Sequence, residues 1–297
     1  MTQLAETIYN SYPSAFRPPI ESLQLVNSPD WDTLSAQVRV FYTGDNIEVI
    51  KKLATERDLV NISNRQNFDV EKVNQILGWS ESGYTSYFKK TQQLPPQIGI
   101  YCRTPLVGSK LKIHIMNSIG LGFDAKSQPD FEYFSKINFE CVVDHLANSF
   151  QMLFKCASEL NLKKVALCYL GGGCFASHYP FDFLNDAYLP ALRLALCRFT
   201  HENLPESVWI MGNVGRIISS SIHNLVDEFG ICFGNLGFVP EILTSEDTLY
   251  QNAWDPHSMV GNGNKGDHSL DGFFGRSVSM HFLCCPIINN NLQYINL

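Results

Sequence analysis

The stretch KKVALCYLGGGCFASHYPFDF, residues 163–183, decides the fold class. Its apolar run from Val165 onward has the continuous hydrophobicity of a strand that is buried on both faces of a sheet. Three successive glycines, Gly171, Gly172 and Gly173, end this run. Because glycine adopts positive φ without steric cost, such a run is typical of a tight turn between a strand and a helix. The stretch therefore predicts a strand–turn–helix unit of an α/β domain.

Strand-like and helix-like segments alternate on both sides of this unit. Strand patterns cover residues 97–103, 110–117, 207–213, 230–235 and 276–287. Apolar residues recur at helical spacing in 139–160, in 181–199 with an interruption at Pro190, and in 216–229. This alternation predicts an α/β fold with a mixed, mostly parallel sheet.

Residues 1–95 are predicted to form a mainly helical N-terminal extension. Helical spacing is found in 44–60 and in 68–79, and a loop rich in Ser, Gly and Gln ends at Pro95-Pro96. We therefore expect a second domain at residues 96–297. The extension is expected either to recognise a protein substrate or to cover one edge of the sheet.

Composition and charge argue against several classes of protein. Of the 297 residues, 45% are hydrophobic and 17% are charged, which excludes wholesale disorder. The net charge of −7 argues against binding to nucleic acid or to an anionic membrane surface. Because no secretory leader opens the sequence and no apolar run approaches ~18 residues, we expect a cytoplasmic protein. Nine cysteines without a C-x-x-C pair predict reduced thiols rather than disulfides or zinc ligands.

A second glycine-rich segment, NAWDPHSMVGNGNKGDHSLDGFFGRS, spans residues 252–277. Its density of Gly and Asn predicts a long irregular loop rather than a helix or a strand. Interleaved aromatic residues argue against disorder. Three aspartates, Asp255, Asp267 and Asp271, are more than a structural loop requires and indicate a functional role. The alternative is a structured surface loop in which Asn and Asp serve turns.

The glycine turn, which we define as residues 171–175, also has two interpretations. Its backbone N–H groups suit a phosphate or a diphosphate. It matches neither a G-x-G-x-x-G nor a Walker A motif, since no Lys-Ser or Lys-Thr follows the glycines. A tight turn without a ligand is the alternative.

Together the two segments resemble the macrodomain family. Asn252-Ala253, the stretch VGNGN at 260–264 and the later Leu270-Asp271-Gly272 are similar to the macrodomain loop around the distal ribose of ADP-ribose. The stretch YLGGGCFA at 169–176 is similar to the loop that holds the diphosphate. The resemblance covers residues 96–297 and is closest to the macrodomains that remove ADP-ribose from arginine.

The order of the two motifs differs from that of most macrodomains. Here the glycine turn comes about 80 positions before Asn252. Asp255 replaces the second Asn of the family pair, and Asn262 and Asn264 interrupt the glycine run. The resemblance therefore implies a three-layer macrodomain-like core in a permuted or rewired arrangement.

The resemblance implies hydrolysis of the N-glycosidic bond between ADP-ribose and an arginine side chain. Positive charge develops at the ribose carbon as this bond breaks, and carboxylates can stabilise that charge or activate water. On this basis Asp255 and Asp267 are assigned to the reacting ribose and the guanidinium. Asp247 is a further catalytic candidate on the leaving-group side, and Asp271 would orient a ribose hydroxyl or the loop itself.

The same resemblance implies which residues bind the ligand. The diphosphate is expected on the amides of Gly172, Gly173, Cys174 and Phe175, and Asp124 is a candidate partner of the adenine amino group. Phe175 or Phe274 would stack on a ring, unless they are core residues. Further predicted ligand-binding residues are Gly171, Asn252, Asn262, Gly263, Asn264 and Asp271. No metal and no cofactor is expected; the partners would be ADP-ribose and an ADP-ribosylated protein.

Three other functions are open at this point. A reader module would bind ADP-ribose without cleaving it. In an interaction protein, the GNGN loop, which begins with the stretch GNGN at residues 261–264, would have only a structural role. A metal-dependent hydrolase of another nucleotide or phosphoester would be sensitive to chelation.

Overall fold

The computed structural model describes residues 2–11, 17–54, 94, 96–199, 204–211, 225, 227–230, 232–236, 245–254, 260–261 and 270–297. The chain divides into two compact units. Met1–Lys112 and Trp254–Leu297 form the first unit, and Ile113–Ala253 form the second unit. The predicted helix at 68–79 lies outside the described residues, as does most of the one at 216–229.

The helices and strands have the following bounds along the chain. They are α1 (Thr2–Ser11), α2 (Ile20–Val26), α3 (Trp31–Ser35), β1 (Arg39–Tyr42), β2 (Ile98–Pro105), β3 (Lys112–Ile119), α4 (Pro129–Ile137), α5 (Cys141–Glu159), β4 (Lys164–Leu167), α6 (Leu189–Cys197), β5 (Ser207–Met211), β6 (Cys232–Leu236), β7 (Thr248–Trp254), α7 (Leu270–Ser277) and β8 (Gln293–Asn296). Residues 47–54 are also helical. A 3-10 turn, Cys174–Ala176, and a π-helix, Phe183–Tyr188, lie between β4 and α6.

In the first unit, β1 lies between β2 and β8. It pairs antiparallel with β2, with Val40 opposite Ile100, and parallel with β8, with Val40 opposite Tyr294. Val40 and Ile100 are completely buried. The predicted extension is therefore helical over most of its described length but also contributes a strand. The division of the chain at residue 95 stays a prediction.

In the second unit, the strands lie in the order β6-β5-β4-β7-β3. The pairs β6/β5, β5/β4 and β4/β7 are parallel. Val165, Ala166 and Leu167 of β4 have no exposed surface, because β4 has a strand on each side and helices packed over it. The prediction of an α/β fold with a mixed, mostly parallel sheet is confirmed.

The long helix α5 covers this part of the sheet. Its apolar stripe, which includes Leu146, Phe150 and Leu153, is fully buried, and α5 packs against α6 and β4. The predicted helix at 139–160 is therefore confirmed. The predicted bend or interruption at Pro190 stays a prediction: helical residues continue from Phe183 to Cys197, and the hydrogen-bond pattern changes from π to α at Leu189. Proline has no N–H to continue the preceding hydrogen-bond pattern.

The predicted strand at 276–287 is wrong. Helix α7 extends to Ser277, and the residues after Val278 form turns. The Cys284 N–H donates to the Met280 carbonyl at 3.0 Å, and the Asn289 N–H donates to the Cys285 carbonyl at 2.8 Å. A short apolar run has the same appearance in a buried strand and in a buried helical turn, so its hydrophobicity alone did not distinguish them.

The prediction that residues 252–277 contain no helix or strand is wrong at both ends. Asn252–Trp254 complete β7, and α7 covers Leu270–Ser277. Two glycines, Gly272 and Gly275, lie inside this helix. Within the described ranges, no helix is both long enough and apolar enough to cross a membrane.

Candidate functional site

Gly171 begins the glycine turn in a left-handed backbone conformation. Its φ is +74°, a value that residues with a side chain rarely adopt. Its backbone lies against Gly120, where a Cβ would stand 2.8 Å from the Gly171 nitrogen. Glycine at both positions therefore allows the turn after β4 to approach the segment after β3.

Gly172 and Gly173 differ in the space that is available for a side chain. A Cβ at position 172 would stand 2.2 Å from the Tyr169 ring, whereas a Cβ at position 173 would meet nothing within 4 Å. The Tyr169 ring packs edge-on against Phe183 and Tyr188, which limits how far it can move. Packing inside the turn thus requires glycine at 172, while Gly173 borders open space.

Three consecutive N–H groups of the glycine turn are available for a ligand. The Gly172 N–H donates to the Tyr169 carbonyl at 3.1 Å, which argues against its predicted role at the diphosphate. In the described part of the chain, the N–H groups of Gly173, Cys174 and Phe175 donate to no backbone carbonyl. A row of such donors suits an anionic oxygen.

The segment after β3 runs beside the glycine turn. The Phe123 N–H donates to the Phe175 carbonyl at 2.7 Å, and the His178 N–H donates to the Phe123 carbonyl at 2.9 Å. Asp130, at the start of α4, fixes this segment from the other side, because its Oδ2 accepts the Gly122 N–H at 2.7 Å. The structure thus brings the predicted residue Asp124 to the glycine turn.

Asp124 has one oxygen in a weak hydrogen bond and one without a described partner. Its Oδ2 accepts from Gln128 Nε2 at 3.4 Å. Its Oδ1 is buried and has no hydrogen-bond partner among the residues that the structure describes. A buried carboxylate oxygen normally accepts a hydrogen bond, so this oxygen suits the amino group of a ligand.

Gln251 of β7 holds the end of β4. Its Oε1 accepts from the Cys168 N–H at 3.2 Å and from the Cys168 Sγ at 3.4 Å. The Tyr188 hydroxyl donates to the Cys168 carbonyl at 2.7 Å. Burial raises the pKa of the Cys168 thiol and that of Tyr188, so both groups stay protonated. These contacts fix the point at which the chain leaves β4 for the glycine turn.

Asn252, the next residue of β7, is completely buried. Its Nδ2 donates to Asn117 Oδ1 of β3 at 2.9 Å. Because β4 and β7 are parallel, Asn252 lies at the same end of the strands as the glycine turn. The structure thus brings these two predicted elements together, and it shows that the Asn252 amide helps to hold β3.

Asp247 lies at the other end of β7. It directly precedes Thr248, the first residue of the strand, and its side chain is exposed. Asn252 is five positions further along the chain, which corresponds to about 16 Å along a strand. This separation from the glycine turn argues against the assignment of Asp247 to the catalytic set.

In the first unit, Asp271 closes the base of the GNGN loop. Its Oδ1 accepts the Gly261 N–H at 2.8 Å. Gly261 has a φ of +81°, and a Cβ at Gly275 would overlap its carbonyl. Gly261 and α7, the described parts of the chain on either side of residues 262–269, are therefore fixed to each other. Of the two roles predicted for Asp271, orientation of the loop is the one that this contact favours.

His281 packs behind this closure. Its Nε2 lies 3.2 Å from the Gly275 carbonyl, and its side chain is buried. Burial lowers the pKa of His281 to about 4, so the ring is neutral near pH 7 and Nε2–H donates to the carbonyl. Phe274 is also fully buried, which favours its interpretation as a core residue over a stacking surface.

The remaining predicted site residues lie outside the described part of the chain. They are Asp255, Asp267, Asn262, Gly263 and Asn264. Their assignments stay predictions. The described residues at the limits of these segments, Trp254 and Val260, are each only 2% exposed.

Sequence reasoning missed Asn117, Gln251 and the packing role of Tyr169. Asn117 and Gln251 are fully buried polar residues that lie directly after an apolar residue of their strands, Met116 and Tyr250 respectively. A buried amide is costly unless it is hydrogen-bonded, so a polar residue inside an apolar strand is the signal that points to such a contact.

Neither a protein-family model nor a curated protein matches the chain. In the described ranges, no three His, Cys, Asp or Glu side chains group as metal ligands. What the structure establishes is an α/β fold in which the glycine turn, Asp124 and Asn252 belong to one end of the second unit.

Proposed function

We propose that the chain binds ADP-ribose at the carboxyl ends of β4 and β7 and hydrolyses its bond to arginine. The observation that carries the proposal is the reversal of strand order at this point. The chain continues from β4 to β5 and β6 on one side, while β7 lies on the other side. Open α/β sheets bind ligands in the crevice beyond the carboxyl ends of strands at such a point.

The described residues suggest how the ligand would be held. The N–H groups of Gly173, Cys174 and Phe175 would donate to the diphosphate oxygens, and open space beside Gly173 leaves room for it. The buried Oδ1 of Asp124 would accept from the adenine amino group. These roles support a nucleoside diphosphate as the ligand class.

The chemical step is assigned through the resemblance. Asp255 and Asp267 would act at the distal ribose, one by stabilising the oxocarbenium-like charge and one by activating water. Water would add to the ribose carbon as the bond to the guanidinium nitrogen breaks, releasing ADP-ribose and unmodified arginine.

The alternative is a reader that binds ADP-ribose without cleaving it. Binding alone does not require several carboxylates near a ligand that already carries two negative charges, and this favours the hydrolase. The experiment titrates ADP-ribose by calorimetry and then measures ADP-ribose release from proteins modified on arginine or on a carboxylate.

Three variants sharpen this test. Asp255→Asn and Asp267→Asn should each lower turnover at least 100-fold with the melting temperature unchanged. Asp247→Asn is the matched control and should retain wild-type turnover, because Asp247 lies at the other end of β7. Binding without turnover would identify a reader, and no binding would reject both functions.

A further inference from the structure

A cluster of aromatic side chains reaches the surface of the second unit. We call Phe131, Phe139, Tyr179 and Phe181 the aromatic patch. The Phe139 ring lies 5.6 Å from that of Tyr179 and 6.3 Å from that of Phe181. Phe181 is 61% exposed. Large apolar side chains grouped in this way on a surface mark a site of interaction.

The aromatic patch is continuous with the glycine turn. Phe123, which is completely buried, packs against Tyr179 at 5.5 Å and against Phe139 at 5.9 Å between ring centroids. The backbone of the same Phe123 is hydrogen-bonded to Phe175 and His178. A partner on the aromatic patch would therefore lie beside the end of the unit where we propose that ADP-ribose binds.

Exposed carboxylates accompany the aromatic rings. Glu140 follows Phe139, and Asp182 follows Phe181. The Asp186 carboxylate lies next to this pair, because its Oδ2 accepts the Asp182 N–H at 3.0 Å. The exposed basic groups on the same segments are Lys136 and His178.

We propose that the aromatic patch binds an arginine-bearing segment of the modified protein. Guanidinium groups stack on aromatic faces and donate to carboxylates at the same time, so aromatic rings beside acids suit them better than they suit the more strongly hydrated lysine. The acids disfavour a nucleic acid or an anionic lipid surface. This inference rests on the proposed function, since it identifies the protein part of that substrate.

The first experiment measures binding without catalysis. A synthetic unmodified Gly-Arg repeat peptide and a Gly-Lys repeat peptide are titrated into the full chain and its variants. Wild type should bind the arginine peptide at least 10-fold more tightly than the lysine peptide. Phe181→Ala and Asp186→Asn should each weaken arginine-peptide binding about 10-fold, which corresponds to 1.4 kcal/mol. Ile20→Ala, which removes an exposed apolar side chain from the first unit, should bind as wild type does.

The second experiment separates docking from chemistry. Phe181→Ala should raise KM for an ADP-ribosylated protein about 10-fold and leave kcat unchanged. It should leave both constants unchanged for ADP-ribosylated free arginine, which lacks the protein segment that the aromatic patch is proposed to bind.

The outcomes distinguish this inference from the proposed function. Peptide binding that depends on Phe181 in a protein without turnover would reject the hydrolase and support the docking surface. Equal binding of both peptides, or wild-type binding by Phe181→Ala, would overturn the docking surface. Self-association abolished by Phe181→Ala, measured by sedimentation, would show that a second copy covers the patch and would also overturn it.

Discussion

The carboxylate of Asp271 accepts the backbone N–H of Gly261 at 2.8 Å, ten residues earlier in the chain. This bond joins the two described ends of the GNGN loop, and the close approach of Gly261 to Gly275 packs the joined ends against α7. A loop whose ends are fixed loses less conformational entropy when it orders its side chains around a ligand. The contact thus fixes Gly261 to α7.

The first prediction concerns this bond. Asp271→Ala would leave the buried Gly261 N–H without its acceptor, which costs about 1–3 kcal/mol. We expect a decrease of that size in the free energy of unfolding, measured with urea. Asp271→Asn keeps an acceptor oxygen and should lose less. Equal stability of the alanine variant and wild type would show that the bond does not hold the loop.

The second prediction compares two glycines of the glycine turn. Gly172→Val would push the Tyr169 ring out of its contacts and should cost about 1–3 kcal/mol of stability. Gly173→Val meets no neighbour, so its cost comes only from the backbone, whose ψ of −131° residues with a side chain disfavour, and its loss of stability should be smaller than that of Gly172→Val. If the turn holds a diphosphate, Gly173→Val should nevertheless weaken ADP-ribose binding at least 10-fold in calorimetry. Unchanged affinity of this variant would remove the turn from the site.

The third prediction concerns the link between β7 and β4. Gln251→Leu keeps the apolar volume but leaves the Cys168 N–H without an acceptor, for an expected loss of about 1–3 kcal/mol in unfolding free energy. The Cys168 amide should also exchange its hydrogen faster. Tyr188→Phe is the comparison, since it removes one donor from the carbonyl of the same residue and should cost about 1 kcal/mol. Unaltered exchange in Gln251→Leu would contradict the proposed link.

The fourth prediction concerns pH. The pKa of His281 is lowered to about 4 in the folded chain, from an ordinary value near 6.5. Between these values the unfolded chain binds more protons than the folded chain, so stability falls as pH decreases. The full contribution is present above pH 6.5 and amounts to about 3 kcal/mol. His281→Gln should show a shallower decrease in unfolding free energy from pH 6.5 to pH 4. Identical slopes for the two proteins would refute this assignment.

Elements with a strong local pattern could be predicted from the sequence. The apolar run at Val165–Leu167 and the amphipathic stripe of α5 both indicate burial within a single element, and both predictions are confirmed. The run Met280–Cys285 was assigned to a strand because continuous hydrophobicity does not report which backbone shape buries it. Glycines in 252–277 suggested an irregular loop, yet packing of Gly275 on Gly261 stabilises α7.

In the candidate site, too, some residues could be identified from the local sequence and others could not. The three glycines were identified from residue type, because few other residues permit such turns, and Asn252 was named through the macrodomain resemblance. Asp247 was included because it comes just before the segment 252–277 in the sequence. A strand carries its two ends apart at about 3.3 Å per residue, so Asp247 and Asn252 lie toward opposite ends of β7.

By itself the sequence determined the alternation of strands and helices and the position of the glycine turn, because side-chain period and glycine backbone freedom act over a few residues. Only the tertiary structure decided that Gln251 would hold Cys168, 83 residues away, and that Asn252 would hold Asn117, 135 residues away. Such pairs depend on which strands become neighbours. Strand order follows from the burial of all faces at once, and no local pattern encodes it.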